Sequence, residues 1–500
     1  MWRIGANVDV LYFWIGVVGF GGLVSLFTIN SFSINYIKHQ LSNVVMVKKL
    51  FGTDGIRGKA NVYPMTAEIA LKLGQAAAKY FTSGKNRNGN NKKKPKIIIG
   101  KDTRRSNYIF EYALASGLCS MGVNVYLVGP IPTPAVAHLI KSFAADAGIV
   151  VSASHNPAGD NGIKFFDKNG YKLADGVEEE IEGLVFDGVK PDIPVEKMGR
   201  AYKIEDARGR YIEFAKHSIG DSSLNGFKVV LDCAHGAAYK VAPLIFEELG
   251  AEVIILNNKP DGLNINKNAG CLHPGKIQKA VVDSKADIGV ALDGDADRCI
   301  LVDEKGNVVD GDHILAIAAL RLKEIDRLKN DTLVATVMSN IGLDVAMKKA
   351  GINVIKTKVG DRYVMEEMQK SDYILGGEQS GHIIFGKHTT TGDGTITALQ
   401  MLMIMKKTEK KLSELASCMD SYPQVLINCE VSEKKDIDGM VGVVEKIGEI
   451  EKKLGSEGRV LVRYSGTENI CRVMIEGKNQ DKIDKYAKDI VAEIKREIGV

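Results

Sequence analysis

Three carboxylates alternate in Asp293-Gly294-Asp295-Ala296-Asp297, directly after an apolar run and just before Arg298. In an extended segment that spacing points all three side chains one way, and Gly294 and Ala296 keep the other side thin. Carboxylates held so close repel one another unless a cation sits among them. An all-oxygen ligand set selects a hard divalent ion, Mg²⁺ first. The competing reading is a solvated turn, since Asp and Gly dominate turns. The apolar strand before the run and Arg298 after it argue for the metal.

Other chemistry-bearing stretches are separate in the chain. Ser154 lies in Ser152-Ala153-Ser154-His155-Asn156-Pro157, where its hydroxyl is either a turn cap or a phosphate-carrying nucleophile. His155 is then a base or a loop-stabilising donor. No Gly-x-Ser-x-Gly elbow supports a hydrolase triad. Arg463-Tyr464-Ser465-Gly466-Thr467 joins two strand-like runs, and Arg472 adds a second guanidinium. With Gly466 free to adopt positive φ, backbone N–H groups and these side chains form a phosphate clamp; a plain hairpin turn is the alternative. Glu378, Ser380 and His382 alternate as the aspartates do, and a carboxylate beside a hydroxyl suits vicinal sugar hydroxyls.

These loops must be held by a scaffold, and the chain repeats one. Apolar strands at Lys96–Gly100, Val123–Val128 and Gly148–Val151 alternate with helical stretches and end in the Ser154 loop. The same pattern runs through Lys228–Asp232, Glu252–Leu256 and Asp287–Leu292 into the aspartate loop. A third copy, Thr332–Val337, Asn353–Lys356 and Asp372–Leu375, leads into the Glu378 loop. Asp146, Asp287 and Asp372 stand at equivalent places. Alternating strands and helices predict three similar α/β domains with mixed sheets, their binding loops at the carboxyl ends of the strands. The last stretch reads as a smaller α+β domain: a strand at Val425–Val431, a helix over Lys434–Leu454, two strands and a closing helix. The four domains enclose a central cleft, with expected boundaries 46–204, 205–303, 304–421 and 422–500 after an apolar extension, 1–45.

Composition agrees with a globular chain. Of 500 residues, 45% are hydrophobic and 26% charged. Sixty-six basic against 62 acidic side chains give a net charge of +4, too weak a bias to point to nucleic acid. The 7 cysteines form no CxxC pair, so neither a zinc site nor a disulfide framework is indicated.

The four loops, taken in order, resemble the four active-site loops of the α-D-phosphohexomutases, and Phe51-Gly52-Thr53-Asp54-Gly55-Ile56-Arg57-Gly58 resembles that family's opening segment. The resemblance covers about residues 46–500. Lys49-Leu50-Phe51-Gly52, Gly377-Glu378-Gln379-Ser380-Gly381-His382 and Thr390-Thr391-Gly392-Asp393-Gly394 are closest to the family's bacterial glucosamine-phosphate branch. Two departures stand out: Asn469 occupies a position where that branch commonly has proline, and the polar Gly84–Pro95 insert is long.

The resemblance implies a mutase that interconverts glucosamine 6-phosphate and glucosamine 1-phosphate for cell-wall precursor synthesis; a phosphomannomutase or phosphoglucomutase is the alternative within the family, and a non-catalytic sugar-phosphate sensor the alternative outside it. Ser154 would carry the phosphoryl group and join Asp293, Asp295 and Asp297 around one Mg²⁺ per active site. A sugar 1,6-bisphosphate, such as glucosamine 1,6-bisphosphate, would be intermediate and primer. Arg57, His155 and Lys164 would assist catalysis. Lys164 is either a general base, with a pKa depressed by Arg57 and Arg298, or a phosphate anchor. Arg298, Glu378, Ser380 and His382 would bind the sugar, and Arg463, Ser465, Gly466, Thr467 and Arg472 the distal phosphate. The expected partners are a hexosamine phosphate and no nucleic acid, with a homodimer left open.

The extension stands outside this pattern. Val10–Ile29 is long and apolar enough for a bilayer span, and the lysines after it would keep the catalytic domains in the cytoplasm. Two readings result: an N-terminal anchor, or translation from Met46, where Met46-Val47-Lys48-Lys49-Leu50 looks like a family N-terminus. The second is preferred.

Overall fold

In each of the first three domains a central strand is flanked by two parallel neighbours, and one of these turns back into an antiparallel strand. In the computed structural model, which describes residues 50–52, 54–83, 94–465 and 469–499, Lys96–Lys101 lies between Asn124–Pro130 and Ala147–Val151, and the latter pairs antiparallel with Asp160–Phe166. Lys228–Asp232 repeats this between Glu252–Leu256 and Ile288–Leu292, with Cys299–Asp303 turning back. Thr332–Thr336 repeats it between Asn353–Thr357 and Leu375–Gly377, with Ile383–Phe385 turning back. The sheets hold seven, five and four strands. Each chemistry-bearing loop is the connection from the third strand to its antiparallel neighbour, so one topological position recurs three times.

Helices cover both sheet faces, which is why runs such as Ile97-Ile98-Ile99 are wholly buried rather than alternating. Asp146 and Asp287 do the same local job: each accepts the backbone N–H of the first residue of the central strand, Lys96 or Lys228, at 2.8 Å. The third copy differs. Asp372 is exposed, ends its helix with positive φ and pairs with Lys329, and its strand begins later than the sequence pattern suggested, at Leu375.

One apolar core runs through all three α/β domains, from Ile98 through Leu231 and Leu292 to Leu399. The fourth domain has its own core between a three-stranded antiparallel sheet and the helices Val441–Leu454 and Gln480–Ile498. The expected helix over Lys434–Leu454 is shorter than read. A 3-10 turn at Ile437–Gly439, capped by Asp436, precedes a helix that starts at Val441. The seven cysteines are free.

The Val10–Ile29 stretch and the start of the chain lie outside the described residues, as do Gly466 and Thr467. Among the described residues, no helix is long and apolar enough to cross a membrane.

Candidate active site

Ser154 occupies a strained backbone position, with φ at +51° and its side chain buried. Left-handed backbone costs a residue with a Cβ about 1–2 kcal/mol, so the neighbours must impose it. Arg104, buried beneath the loop, supplies much of the restraint. Its Nη2 donates to the carbonyls of Ser154 and Asn156 at 2.9 and 2.8 Å, and Nη1 donates to that of Pro157. Its Nε donates to Asp102 at 2.9 Å. Asp102 also accepts from the Ser152 hydroxyl at 2.6 Å, and the Ser152 oxygen accepts the Ser154 N–H at 2.9 Å. From the second domain, Asn266 Nδ2 donates to the carbonyls of Ser154 and Asn156 at 2.9 and 3.0 Å.

Held this way, the Ser154 hydroxyl donates to Asp293 Oδ2 at 2.7 Å. Asp293, Asp295 and Asp297 are buried, with ligand oxygens within 4.8 Å of one another. They converge, although not as an extended alternating segment. The loop is a turn with Ala296 at φ +58°, and the bend itself brings the carboxylates together. Gly294 is required by close approach: a Cβ there would lie 2.5 Å from the Ser154 carbonyl oxygen. Thr133 Oγ1 donates to Asp295 at 2.7 Å, tying this loop to the first domain.

The trio's chemistry fits a divalent cation. Asp295 Oδ1 and Asp297 Oδ1 are buried without a hydrogen-bond partner. Burial, then repulsion from Asp295 and Asp297, drives the Asp293 carboxyl well above its ordinary pKa. Buried anionic oxygens without donors are what a metal would satisfy.

Lys164 corrects one expectation. Its ammonium is buried 3.1 Å from both Asp54 and Asp295 and 3.5 Å from Asp297. Burial alone would lower its pKa, but the three carboxylates overcome that and raise it. Arg57 does oppose them, as anticipated, yet it is outweighed and is itself paired with Asp54. His155 is the converse. Burial first, then Arg298 and Arg57, hold its pKa down to about 4, so it is neutral at pH 7 with Nδ1 3.3 Å from Ser154 Oγ.

The carboxylates belong to a larger circuit. Asp54 meets Lys164 and Lys172; Lys172 meets Asp361; His382 Nε2 lies 3.2 Å from Asp361, and its Nδ1 lies 3.7 Å from Asp297, which returns to Lys164. Burial works against protonation of His382, but Asp361 and Asp297 raise its pKa.

A cavity of about 450 Å³ opens over this floor, lined among others by Arg57, Asp297, Arg298, Gly360, Glu378 and His382. Glu378 and His382 flank a tight turn, with the Gly381 N–H donating to the Glu378 carbonyl at 3.0 Å. Ser380 is exposed at its tip, 3.5 Å from Glu378 Oε2, while His382 is almost wholly buried in the charge circuit. Arg463 and Arg472 face each other across adjacent strands, in register. Burial, then the charge of Arg472, lower the Arg463 pKa, and two such cations favour an anion between them. Lys434 joins them, donating to the Ser465 carbonyl at 2.7 Å. The sequence reading gave Asp54 no role of its own, although it stands in the segment 51–58, and passed over Asp102, Arg104, Lys172, Asn266, Asp361 and Lys434. For these, Asp102-Thr103-Arg104 following a buried strand was the local signal available.

Known proteins carry the same design. Models of phosphoglucomutase/phosphomannomutase match α/β/α domain I over residues 48–191, domain II over 209–306, domain III over 310–422 and the C-terminal domain over 426–493. A phosphoglucosamine mutase of Geobacter sp. (strain M21) is 55% identical over 458 residues, covering 91% of this chain and 99% of the relative. One from Geotalea uraniireducens (strain Rf4) is 56% identical over 456 residues, covering 91% and 99%. Among solved structures, a phosphoglucomutase/phosphomannomutase family protein from Burkholderia thailandensis shares the fold with a TM-score of 0.74 at 22% identity, over 90% of this chain and 99% of that one. An N-acetylphosphoglucosamine mutase from Aspergillus fumigatus, in complex with GlcNAc-6P and magnesium, shares it with a TM-score of 0.65 at 18% identity, over 89% and 95%. Four domains matched in order, and a relative 55% identical over 91% of the chain, place this chain in the phosphoglucomutase/phosphomannomutase family.

Proposed function

We propose that the chain interconverts glucosamine 6-phosphate and glucosamine 1-phosphate by relaying a phosphoryl group through Ser154. The observation that carries this is the Ser154 hydroxyl, held at 2.7 Å from Asp293 within a buried carboxylate trio. A sugar hydroxyl oxygen attacks the phosphorus of phospho-Ser154. The new O–P bond forms as the P–Oγ bond breaks, and the hydroxyl proton passes to a base. The resulting 1,6-bisphosphate turns over in the cleft and returns its other phosphate to Ser154, and a free sugar bisphosphate primes the unphosphorylated enzyme. Asp293, Asp295 and Asp297 would hold Mg²⁺, which supplies charge stabilisation for the transferring phosphoryl oxygens.

The other roles follow from charge state. Lys164 enters as an ammonium, which favours a phosphate anchor over a base. His155 is neutral and beside Ser154, so it is the better-placed proton acceptor. Arg298, Glu378 and Ser380 face the sugar, with Glu378 drawn toward the amino-sugar substituent. Arg463, Ser465, Gly466, Thr467 and Arg472 grip the distal phosphate in both orientations. That these relatives are phosphoglucosamine mutases supports the amino sugar over mannose or glucose. A cytoplasmic enzyme is the corresponding reading of location.

A panel of glucosamine, mannose and glucose phosphates, with Mg²⁺ and a sugar bisphosphate primer, tests the reading. Fastest turnover is expected with glucosamine phosphate. A preference for mannose or glucose phosphate would overturn the substrate assignment, and release of inorganic phosphate without isomerisation would overturn the mutase.

A further inference from the structure

Among the described residues, the fourth domain contributes no apolar residue to the core shared by the first three, and a buried polar knot secures it to the third. Glu476, on the strand Ile470–Gly477, is fully buried at the centre of that knot. Its Oε2 accepts from the Ile341 N–H at 3.1 Å and from Arg459 Nε at 2.6 Å. Its Oε1 accepts from Asn340 Nδ2 and Gln424 Nε2, each at 3.4 Å. Asn340 caps the third-domain helix Ile341–Lys349, and its Oδ1 accepts the N–H groups of Gly342 and Tyr422 at 2.9 and 3.0 Å. Its own N–H donates to buried Asp312 at 2.8 Å, and Arg459 donates a second bond to the Ser339 carbonyl at 2.6 Å.

The same two strands carry the guanidinium pair. Arg459 stands opposite Glu476, and Arg463 opposite Arg472. Each pair is four residues along its strand from the other, an even spacing that keeps all four side chains on one face. At about 3.3 Å per residue the two pairs are roughly 13 Å apart. One hydrogen-bonded ladder is therefore fastened to the third domain at one end and bears the phosphate-facing cations at the other. Neither Arg463 nor Arg472 lines the cavity beside Asp297 and Glu378. Their distance from Ser154 is thus set by how the fourth domain stands on the third.

We propose that Glu476 is a positioning residue for phosphate recognition: its knot with Asn340, Ile341 and Arg459 fixes where the Arg463–Arg472 end of the ladder meets the substrate. This rests on the clamp reading above, so the test includes the clamp itself. Full-length Glu476→Ala, Glu476→Gln, Arg459→Met and Arg463→Met proteins are assayed for kcat and KM with glucosamine 6-phosphate, alongside melting temperature. A clamp holding ground and transition states alike affects KM more than kcat, so Glu476→Ala should raise KM about tenfold with kcat within about threefold. Glu476→Gln keeps an acceptor for Ile341 and Arg459 and should restore KM to within about threefold of the parent. Should Glu476→Ala fail to fold, Arg459→Met carries the same expectation. A raised KM in Arg463→Met with an unchanged KM in the knot variants overturns the positioning role and leaves the clamp. Unchanged KM in all of them overturns the clamp and this inference together. Loss of kcat alone in the knot variants marks a merely structural contact and also overturns it.

Discussion

Replacing Arg104 with methionine separates the support of Ser154 from its chemistry. Methionine fills similar volume, so the dominant cost is electrostatic. Asp102 would lose its buried ion-pair partner. Breaking such a pair by deleting one member costs about 3–5 kcal/mol. Asp102 keeps donors from the residue-104 N–H, Asn107 and Ser152. The three loop carbonyls also keep second donors, Asn266 for Ser154 and Asn156 and the Asp160 N–H for Pro157. The lower end, about 3 kcal/mol, is therefore expected. Activity should fall by a comparable free energy. Ser154 would be free to relax from φ +51°, and displacement of a reacting group by about 1 Å is worth about 100-fold in rate. Urea unfolding measures the first quantity, and the rate of phosphoryl transfer from a sugar bisphosphate to the protein, followed by intact mass, measures the second. Arg104→Met with a parental transfer rate would refute the claim that this guanidinium aims the nucleophile, and unchanged stability would refute the burial argument.

Ser154→Ala should lower turnover by several orders of magnitude and abolish any phosphoryl adduct in the intact mass, because no carrier oxygen remains; near-normal turnover would sink the relay. Binding of Mg²⁺ should displace the proton that burial and two neighbours favour on Asp293. Calorimetric heats should therefore differ between buffers of different ionisation enthalpy, and Asp293→Asn should remove the difference; equal heats for the parent would show that Mg²⁺ displaces no proton from Asp293. Asp393 accepts from Tyr211 at 3.0 Å, and burial raises its pKa from 3.8 to about 6. The folded state therefore holds the proton more tightly, so the stabilisation is complete below pH 3.8 and is lost as pH rises through about 6. A shift of roughly two units is about 3 kcal/mol. Unfolding free energies at pH 4 and 7 should fall by about that much more for the parent than for Asp393→Asn, and parallel profiles would show that Asp393 is not the group responsible.

The threefold repeat and its loops were legible because strand and loop chemistry are local properties. Ile97-Ile98-Ile99 reads as a buried strand, and Asp293, Asp295 and Asp297 read as ligands, wherever they sit. The sign of the Lys164 shift was not legible. It depends on Asp54, 110 positions earlier in the chain, and on Asp295 and Asp297, 131 and 133 positions later, and only the fold makes those distances 3.1–3.5 Å. His382 shows the same limit: alternation with Glu378 and Ser380 suggested a sugar contact, whereas a tight turn sends it down to Asp297 and Asp361. Arg104 and Asn266 escaped notice because what they hold is backbone carbonyl, which no side-chain pattern announces.

The closed circuit of Asp54, Lys164, Asp297, His382, Asp361 and Lys172 also governs how the domains can assemble. Wherever its two lysines and three carboxylates meet, opposite charges face each other, and His382 stands between Asp361 and Asp297. Lys164 and Lys172 lie in the first domain, Asp297 in the second, and His382 and Asp361 in the third. Each cation therefore finds part of its compensation on a different stretch of the chain. A domain docked in the wrong orientation would strand a buried charge, at a cost of several kcal/mol per ion, while the apolar contacts around it could still be satisfied approximately. The circuit thus acts as an assembly code. Hydrophobic burial draws the three layers together without regard to direction, and the paired charges admit the one closure that also builds the cleft.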